Sequence, residues 1–157
     1  MFNTTWPKAL KKLQEIAETG SPSSVTVGAI VNAPIEKVWA YWNEPKHIMN
    51  WAFASADWEA PYSENDLKVG GKFKTTMAAK DKSASFDFEG VYSEVIPNKK
   101  IAYSMADGRK VEIDFIQSDD SIRVVETFDI EKINPAEMQR AGWQSIMDNF
   151  KKYTESN

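Results

Sequence analysis

The sequence predicts an α+β domain in which a curved antiparallel sheet of about six to seven strands wraps around one long C-terminal helix. Three observations point there. Residues 72–130 alternate apolar and polar side chains between turn residues, the pattern of a sheet with one wet face and one covered face. Residues 135–153 carry Gln139, Trp143, Ile146, Phe150 and Tyr153 along one helical stripe, long enough to cover that face. Only two short helices separate the first strand from the run of strands, so helices and strands are segregated rather than alternating.

Residues 5–19 read as an amphipathic helix with Thr5 as cap, Pro7 in the first turn and Trp6, Leu10, Leu13 and Ile16 near one face. Gly20-Ser-Pro-Ser-Ser24 then reads as a linker. Residues 1–23 are therefore expected to be an extension of a main domain spanning 24–157, with an apolar helix face that packs on this domain or pairs two copies as a homodimer. Residues 25–31 are a strand. Pro34 opens a helix with Ile35, Val38, Trp39 and Trp42 on one face, and Pro45 opens another that ends near Trp51. Residues 53–58 read as a short strand, followed by a loop through Pro61 and Asn65-Asp66, with Gly70-Gly71 as turn chemistry.

In the meander, Phe73, Thr75 and Met77 share one face. Phe86, Phe88, Gly90 and Tyr92 share another, opposite Asp87 and Glu89. After Pro97-Asn98, Ile101, Tyr103 and Met105 alternate. Asp107-Gly108 is a hairpin signal, and Val111, Ile113 and Phe115 lie opposite Glu112 and Asp114. Ser118-Asp-Asp-Ser121 is a further turn. Ile122, Val124, Glu126, Phe128 and Ile130 share a face in the last strand. Asn134, Pro135 and Glu137 read as the capping box that starts the last helix.

Composition narrows the function. The 157 residues suit one domain, 42% of them are hydrophobic and 27% charged, and no apolar run approaches the ~20 residues of a spanning helix. The N-terminus lacks the apolar stretch of a secretory signal, so a cytoplasmic location is expected. The formal charge of −4, without a basic block, argues against nucleic acid as a partner. With no cysteine and one histidine, His47, no metal-ligand spacing exists, and no metal or other cofactor is expected. His47, on a short helix, reads as a surface or capping residue. Gly70-Gly71 lacks the lysine and following helix of a phosphate loop. Aromatics make up 12% of the chain, with six tryptophans, and rigid rings of this kind line apolar ligand pockets as well as cores.

The chain resembles the START-like superfamily with the helix-grip fold. Within it, the chain is similar to the branch named after homologues of the heat shock protein 90 ATPase activator. The resemblance runs from about Val25 to Glu155. It is carried by Asn32-Ala-Pro-Ile-Glu-Lys-Val-Trp39, Trp51-Ala-Phe-Ala-Ser-Ala-Asp-Trp58, Asn65-Asp-Leu-Lys-Val-Gly-Gly71 and Phe86-Asp-Phe-Glu-Gly90. It continues through Asp107-Gly-Arg-Lys-Val111, Glu126-Thr-Phe128, Gln139-Arg-Ala-Gly-Trp-Gln144 and Asp148-Asn-Phe-Lys-Lys-Tyr153. The resemblance implies a pocket between sheet and helix that holds an apolar small molecule or lipid, and it supplies no shared catalytic set. A chaperone partner is implied by the family name, but no second, chaperone-binding domain of the full-length eukaryotic activator is expected here.

The ligand-binding candidates are Trp39, Trp51, Phe53, Trp58, Phe73, Met77, Phe86, Phe88, Tyr92, Tyr103, Phe115, Glu126, Phe128, Gln139, Trp143 and Met147. Glu126 is the most informative, because alternation puts its carboxyl on an apolar face, where burial is costly unless it is paired. It reads either as a carboxylate held by Arg109, Arg123 or a tryptophan N–H, or as a polar anchor or general acid/base at the pocket wall. Gln139 reads as a partner for Glu126 or for the polar end of a ligand. Tyr92 and Tyr103 carry hydroxyls that need partners when buried. The expected function is binding of an apolar or aromatic small molecule. An enzyme using Glu126 and a protein-interaction module through the N-terminal helix are the alternatives.

Overall fold

A computed structural model describes residues 23–157; the helix expected at 5–19, and with it the homodimer contact, lies outside the described residues. The chain runs β1 (Ser24–Val31), α1 (Ile35–Asn43), α2 (Pro45–Ile48), β2 (Trp58–Asn65), β3 (Lys72–Ala79), β4 (Ser85–Ile96), β5 (Lys100–Ser104), β6 (Lys110–Ser118), β7 (Ser121–Asp129) and α3 (Ala136–Ser156). The strands form one seven-stranded sheet in the order β1-β7-β6-β5-β4-β3-β2, with every neighbouring pair antiparallel. Strands β2 to β7 are a simple meander. Strand β1 joins the far side, beside β7, so α1 and α2 carry the chain from one sheet edge to the other. This is the α+β helix-grip architecture expected from the sequence.

The turns follow local chemistry. Gly108 takes φ +92° in the hairpin between β5 and β6, a conformation that only glycine adopts without cost. Asn98 and Asp119 hold the left-handed region at two other strand ends, as short polar side chains tolerate.

Three local readings are corrected. The strand expected at 53–58 begins at Trp58 and runs on to Asn65. Pro61 suggested a loop, yet it sits at a bulge between Glu59 and Tyr62 on an edge strand, where its missing N–H interrupts no essential ladder. The short helix opened by Pro45 ends at Ile48, and hydrogen-bonded turns continue to Trp51 and Ala52. At the start of α3 the N-cap is Pro135 and no side chain caps it. Asn134 instead donates to Glu131 through both its backbone N–H and its amide, so the capping box does not form.

Helix α3 does two jobs. Met147 and Phe150 on its inner stripe are 1% and 0% exposed, packed with Val31, Val38, Ile122 and Phe128 in the core. Its flank satisfies the outer edge of β1, whose backbone groups have no further strand to pair with among the described residues. Gln144 donates to the Gly28 carbonyl at 2.9 Å and accepts from the Gly28 N–H at 3.3 Å. Arg140 donates to Thr26 O at 3.2 Å, Lys151 donates to Ile30 O at 2.6 Å, and Glu155 accepts from the Asn32 N–H at 2.8 Å. A bare edge strand invites pairing with other chains, and these helix side chains cover it. Gln144→Ala should lower stability by about 1–2 kcal/mol, measurable as a lower urea midpoint, and should raise the tendency to self-associate.

Candidate functional site, a cavity between sheet and helix

The concave face of the sheet, α1 and α3 line a cavity of about 320 Å³ that is partly open to solvent. Its walls come from Phe73, Thr75 and Met77 on β3, Phe86, Phe88 and Tyr92 on β4, Ile101 and Tyr103 on β5, and Glu126 on β7. Trp42, Asn43, Ile48, Trp51 and Ala52 line the α1–α2 side, and Gln139, Trp143 and Ile146 line the α3 side. Asn65, Arg109 and Glu131 enter from strand ends and loops. Phe86 is 51% exposed, which places it at the rim.

The aromatic wall is continuous. The Phe73 ring lies 4.7 Å from Tyr103, 5.3 Å from Tyr92 and 5.8 Å from Phe88. Phe88 meets Trp143 edge-on at 5.9 Å, and Trp143 stacks on Phe128 at 3.9 Å. Rings thus run from the sheet to the helix without interruption. Gly90 makes this approach feasible, since a Cβ there would lie 2.7 Å from Phe73 and 2.9 Å from Tyr103. The far side is closed by Trp42, Trp51 and Phe150, whose ring centroids are 4.8–5.0 Å apart; the Trp51 indole donates to Tyr41 O at 2.9 Å.

Most polar groups on the lining are already occupied. The Asn65 amide donates to Asn43 O at 2.7 Å and its oxygen accepts from the Tyr92 hydroxyl. Thr75 is paired with Ser63 at 3.0 Å. Arg109 is held by Asp107, Nε to Oδ2, at 2.7 Å. Gln139, expected to meet Glu126, is instead tied to the loop before α3. It accepts from Glu131 N at 3.0 Å and donates to Glu131 O at 3.0 Å and Asn134 O at 2.8 Å.

Glu126 differs. It is 6% exposed, and no residue among those described hydrogen-bonds or ion-pairs with it. Among the described residues, neither Arg109, Arg123 nor a tryptophan N–H holds it. Arg123 lies on the opposite, exposed face of β7, and Arg109 is engaged by Asp107. Burial pushes the Glu126 carboxyl up to about 8, so it is mostly protonated at neutral pH. Tyr103 is likewise buried, and its hydroxyl has no hydrogen-bond partner among the described residues. Burial, then the neighbouring Glu126 and Tyr92, raises it well above the ordinary phenol range. Tyr92 is raised mainly by burial as well.

Of the sequence candidates, Trp51, Phe73, Met77, Phe86, Phe88, Tyr92, Tyr103, Glu126, Gln139 and Trp143 come together on this lining. The other six lie elsewhere. Phe128 and Met147 are core residues, 1% exposed. Phe115 is buried under α1, with the Trp39 ring edge-on at 5.2 Å. Phe53 packs against the core from the loop after α2, its carbonyl accepting from Asn149 at 2.6 Å. Trp58 begins β2 with its ring 6.0 Å from Phe86. His47, expected at the surface or as a cap, is only partly exposed in the last turn of α2. Its ring stacks on Tyr41 at 3.8 Å, and its Nδ1 lies 2.8 Å from the Tyr153 hydroxyl, linking α2 to α3. Ten lining residues are absent from the sequence-based set: the polar Asn43, Asn65, Thr75, Arg109 and Glu131, and the apolar Trp42, Ile48, Ala52, Ile101 and Ile146. For Arg109, the signal was its place beside the Asp107-Gly108 hairpin.

No curated protein matches the chain. Among solved structures, an AHSA1-like protein from Aeromonas hydrophila is 43% identical over 85% of this chain and 92% of its own, with a TM-score of 0.80. A protein from Cytophaga hutchinsonii is 56% identical over 86% of this chain and 94% of its own, with a TM-score of 0.75. A protein from Chromobacterium violaceum, 20% identical over 86% of this chain and 99% of its own, shares the fold with a TM-score of 0.76. The family described as Activator of Hsp90 ATPase homolog 1-like protein matches residues 32–155. A helix-grip domain whose sequence fits that family over most of its length belongs to the Activator of Hsp90 ATPase homolog 1-like family.

Proposed function

We propose that the protein binds an apolar or aromatic small molecule in the cavity between sheet and α3. The observation that carries this reading is the cavity itself: about 320 Å³, partly open to solvent and lined mainly by aromatic and aliphatic side chains. Small-molecule sites are concave, mostly apolar and largely preformed. Removing apolar ligand surface from water supplies ~25 cal/mol per Å² before ordering costs. Residues Trp51, Phe73, Phe88, Tyr92, Tyr103 and Trp143 form the walls in this reading.

The test is a thermal-shift screen of hydrophobic compounds on the full chain, with intrinsic tryptophan fluorescence as a second readout. Stabilisation that saturates with ligand is expected; its absence across the screen argues against the reading. Gly90→Ala is the companion variant. Its methyl group pushes the Phe73 and Tyr103 rings into the cavity, so binding should weaken by about tenfold while the fold persists. Unchanged affinity in that variant would place the ligand elsewhere.

The unpartnered Glu126 favours one second reading, an enzyme in which this carboxyl is the general acid or base. Glu126→Gln would then abolish turnover and leave binding intact. The chaperone-linked reading rests on the family name alone and is not the one proposed.

A further inference from the structure

We propose that the ligand is a neutral molecule with a carbonyl oxygen, which accepts hydrogen bonds from Tyr103 and Glu126 inside the cavity. This rests on the reading above that the cavity takes an apolar small molecule. Among the hydroxyl, amide, carboxyl and guanidinium side chains of the lining, these two alone make no hydrogen bond to a described residue. Glu126 and Tyr103 are 6% and 7% exposed and both line the cavity, so their polar ends are left to whatever occupies it rather than to another side chain. Their neighbours offer no relief, because Tyr92, Thr75 and Gln139 are committed elsewhere.

The protonation state selects the ligand chemistry. A neutral carboxyl and a phenol each present an O–H donor, and two donors facing one apolar space suit a single acceptor oxygen. A carbonyl on an apolar frame fits, because it brings no charge that must be desolvated. An ammonium ligand would have to enter beside the Arg109 guanidinium and give up its hydration shell.

The other titratable and charged groups on the lining are Tyr92 from β4, Tyr103 from β5, Arg109 from the turn before β6 and Glu131 from the loop after β7. Residues Asn43 of α1 and Gln139 of α3 do not titrate. Both tyrosines are raised, and Glu131 is held below the usual carboxylate range, first by the Asn134 backbone N–H. Between pH 6 and 9, therefore, Glu126 is the one of these groups that changes charge. Above about 8 it becomes a carboxylate that repels a carbonyl oxygen.

The experiment compares 2-acetylnaphthalene, 2-ethylnaphthalene and 2-naphthylmethylamine by calorimetry and tryptophan fluorescence on the full chain. It uses the wild type, Tyr103→Phe, Glu126→Gln and Glu126→Leu, from pH 6 to 10. The ketone is expected to bind about tenfold tighter than the ethyl compound at pH 7, with that preference shrinking above pH 8. Tyr103→Phe and Glu126→Leu should each remove most of the ketone's preference over the ethyl compound. Glu126→Gln keeps a donor, so it should retain the preference and lose its pH dependence. Equal binding of ketone and ethyl compound overturns the carbonyl proposal and leaves the apolar cavity reading standing. A preference for the amine that grows as pH rises towards 8 also overturns it. Failure of all three probes to bind the wild type counts against the cavity reading and this proposal together.

Discussion

Phe150→Ala is expected to cost about 3–5 kcal/mol of folding stability, near the top of the range for truncating a buried aromatic. Phe150 is fully buried, and its ring meets Trp42 at 4.8 Å and Trp51 at 5.0 Å, edge to face. Those three rings come from α1, the turn after α2 and α3, so one side chain ties all three segments together. Removing it forfeits transfer energy, the aromatic geometry and the packing around the void. The surroundings cannot collapse to refill the space, since Trp51 is anchored through its indole to Tyr41 O. A domain of this kind has only about 5–15 kcal/mol to lose, so urea unfolding should show a markedly lower midpoint with an unchanged slope. Phe150→Leu keeps most of the volume and should cost much less. A loss below 1 kcal/mol in Phe150→Ala would mean that the three rings do not lock the helix down. Trp42 and Trp51 also line the cavity, so the same variant should loosen ligand binding.

The wet-faced strands were readable because alternation is enforced wherever one face is covered. It correctly aligned Phe73, Thr75 and Met77, then Phe88 and Tyr92, and put Glu126 on the inner face. Periodicity assigns a face, however, and says nothing about depth. Phe115 and Phe128 share the inner face with Tyr103 and Glu126, yet they lie beneath α1 and Trp143 and reach no open space. Met147 sits beside the inner stripe of α3 and is packed solid. The polar lining residues that no facing pattern marked come from places with no period. Asn65 and Asn43 end their elements, Arg109 follows a hairpin turn, and Glu131 lies in the loop before α3. Gln139 was correctly read as inward-facing, but its partner is decided by how that loop folds back, a tertiary contact that no local pattern encodes. The strand at 58–65 was hidden by Pro61, whose usual meaning is reversed at an edge bulge.

Raising the pH from 4.5 to 7 is expected to cost the wild type about 3 kcal/mol relative to Glu126→Gln. The unfolded chain releases the Glu126 proton near the ordinary value of 4.5, whereas the folded state holds it until about 8. Between these values the native state binds one more proton than the unfolded state, so stability falls as pH rises, by about 1.4 kcal/mol per unit. The contribution is complete below the unfolded value and is gone above the folded one. Other titrating groups act alike in both proteins, and the difference between the two curves isolates Glu126. At roughly 2–4 °C per kcal/mol for a chain of this length, the melting temperatures should diverge by about 6–12 °C across that interval. Parallel curves would mean that Glu126 stays charged in the folded protein, through water or a partner beyond the described residues. Divergence would mean that the fold tolerates a buried acid that weakens it at neutral pH, although the isosteric amide is chemically available at that position. A side chain that lowers stability, lacks a structural partner and lines the cavity is best accounted for by what it does to the molecule that enters.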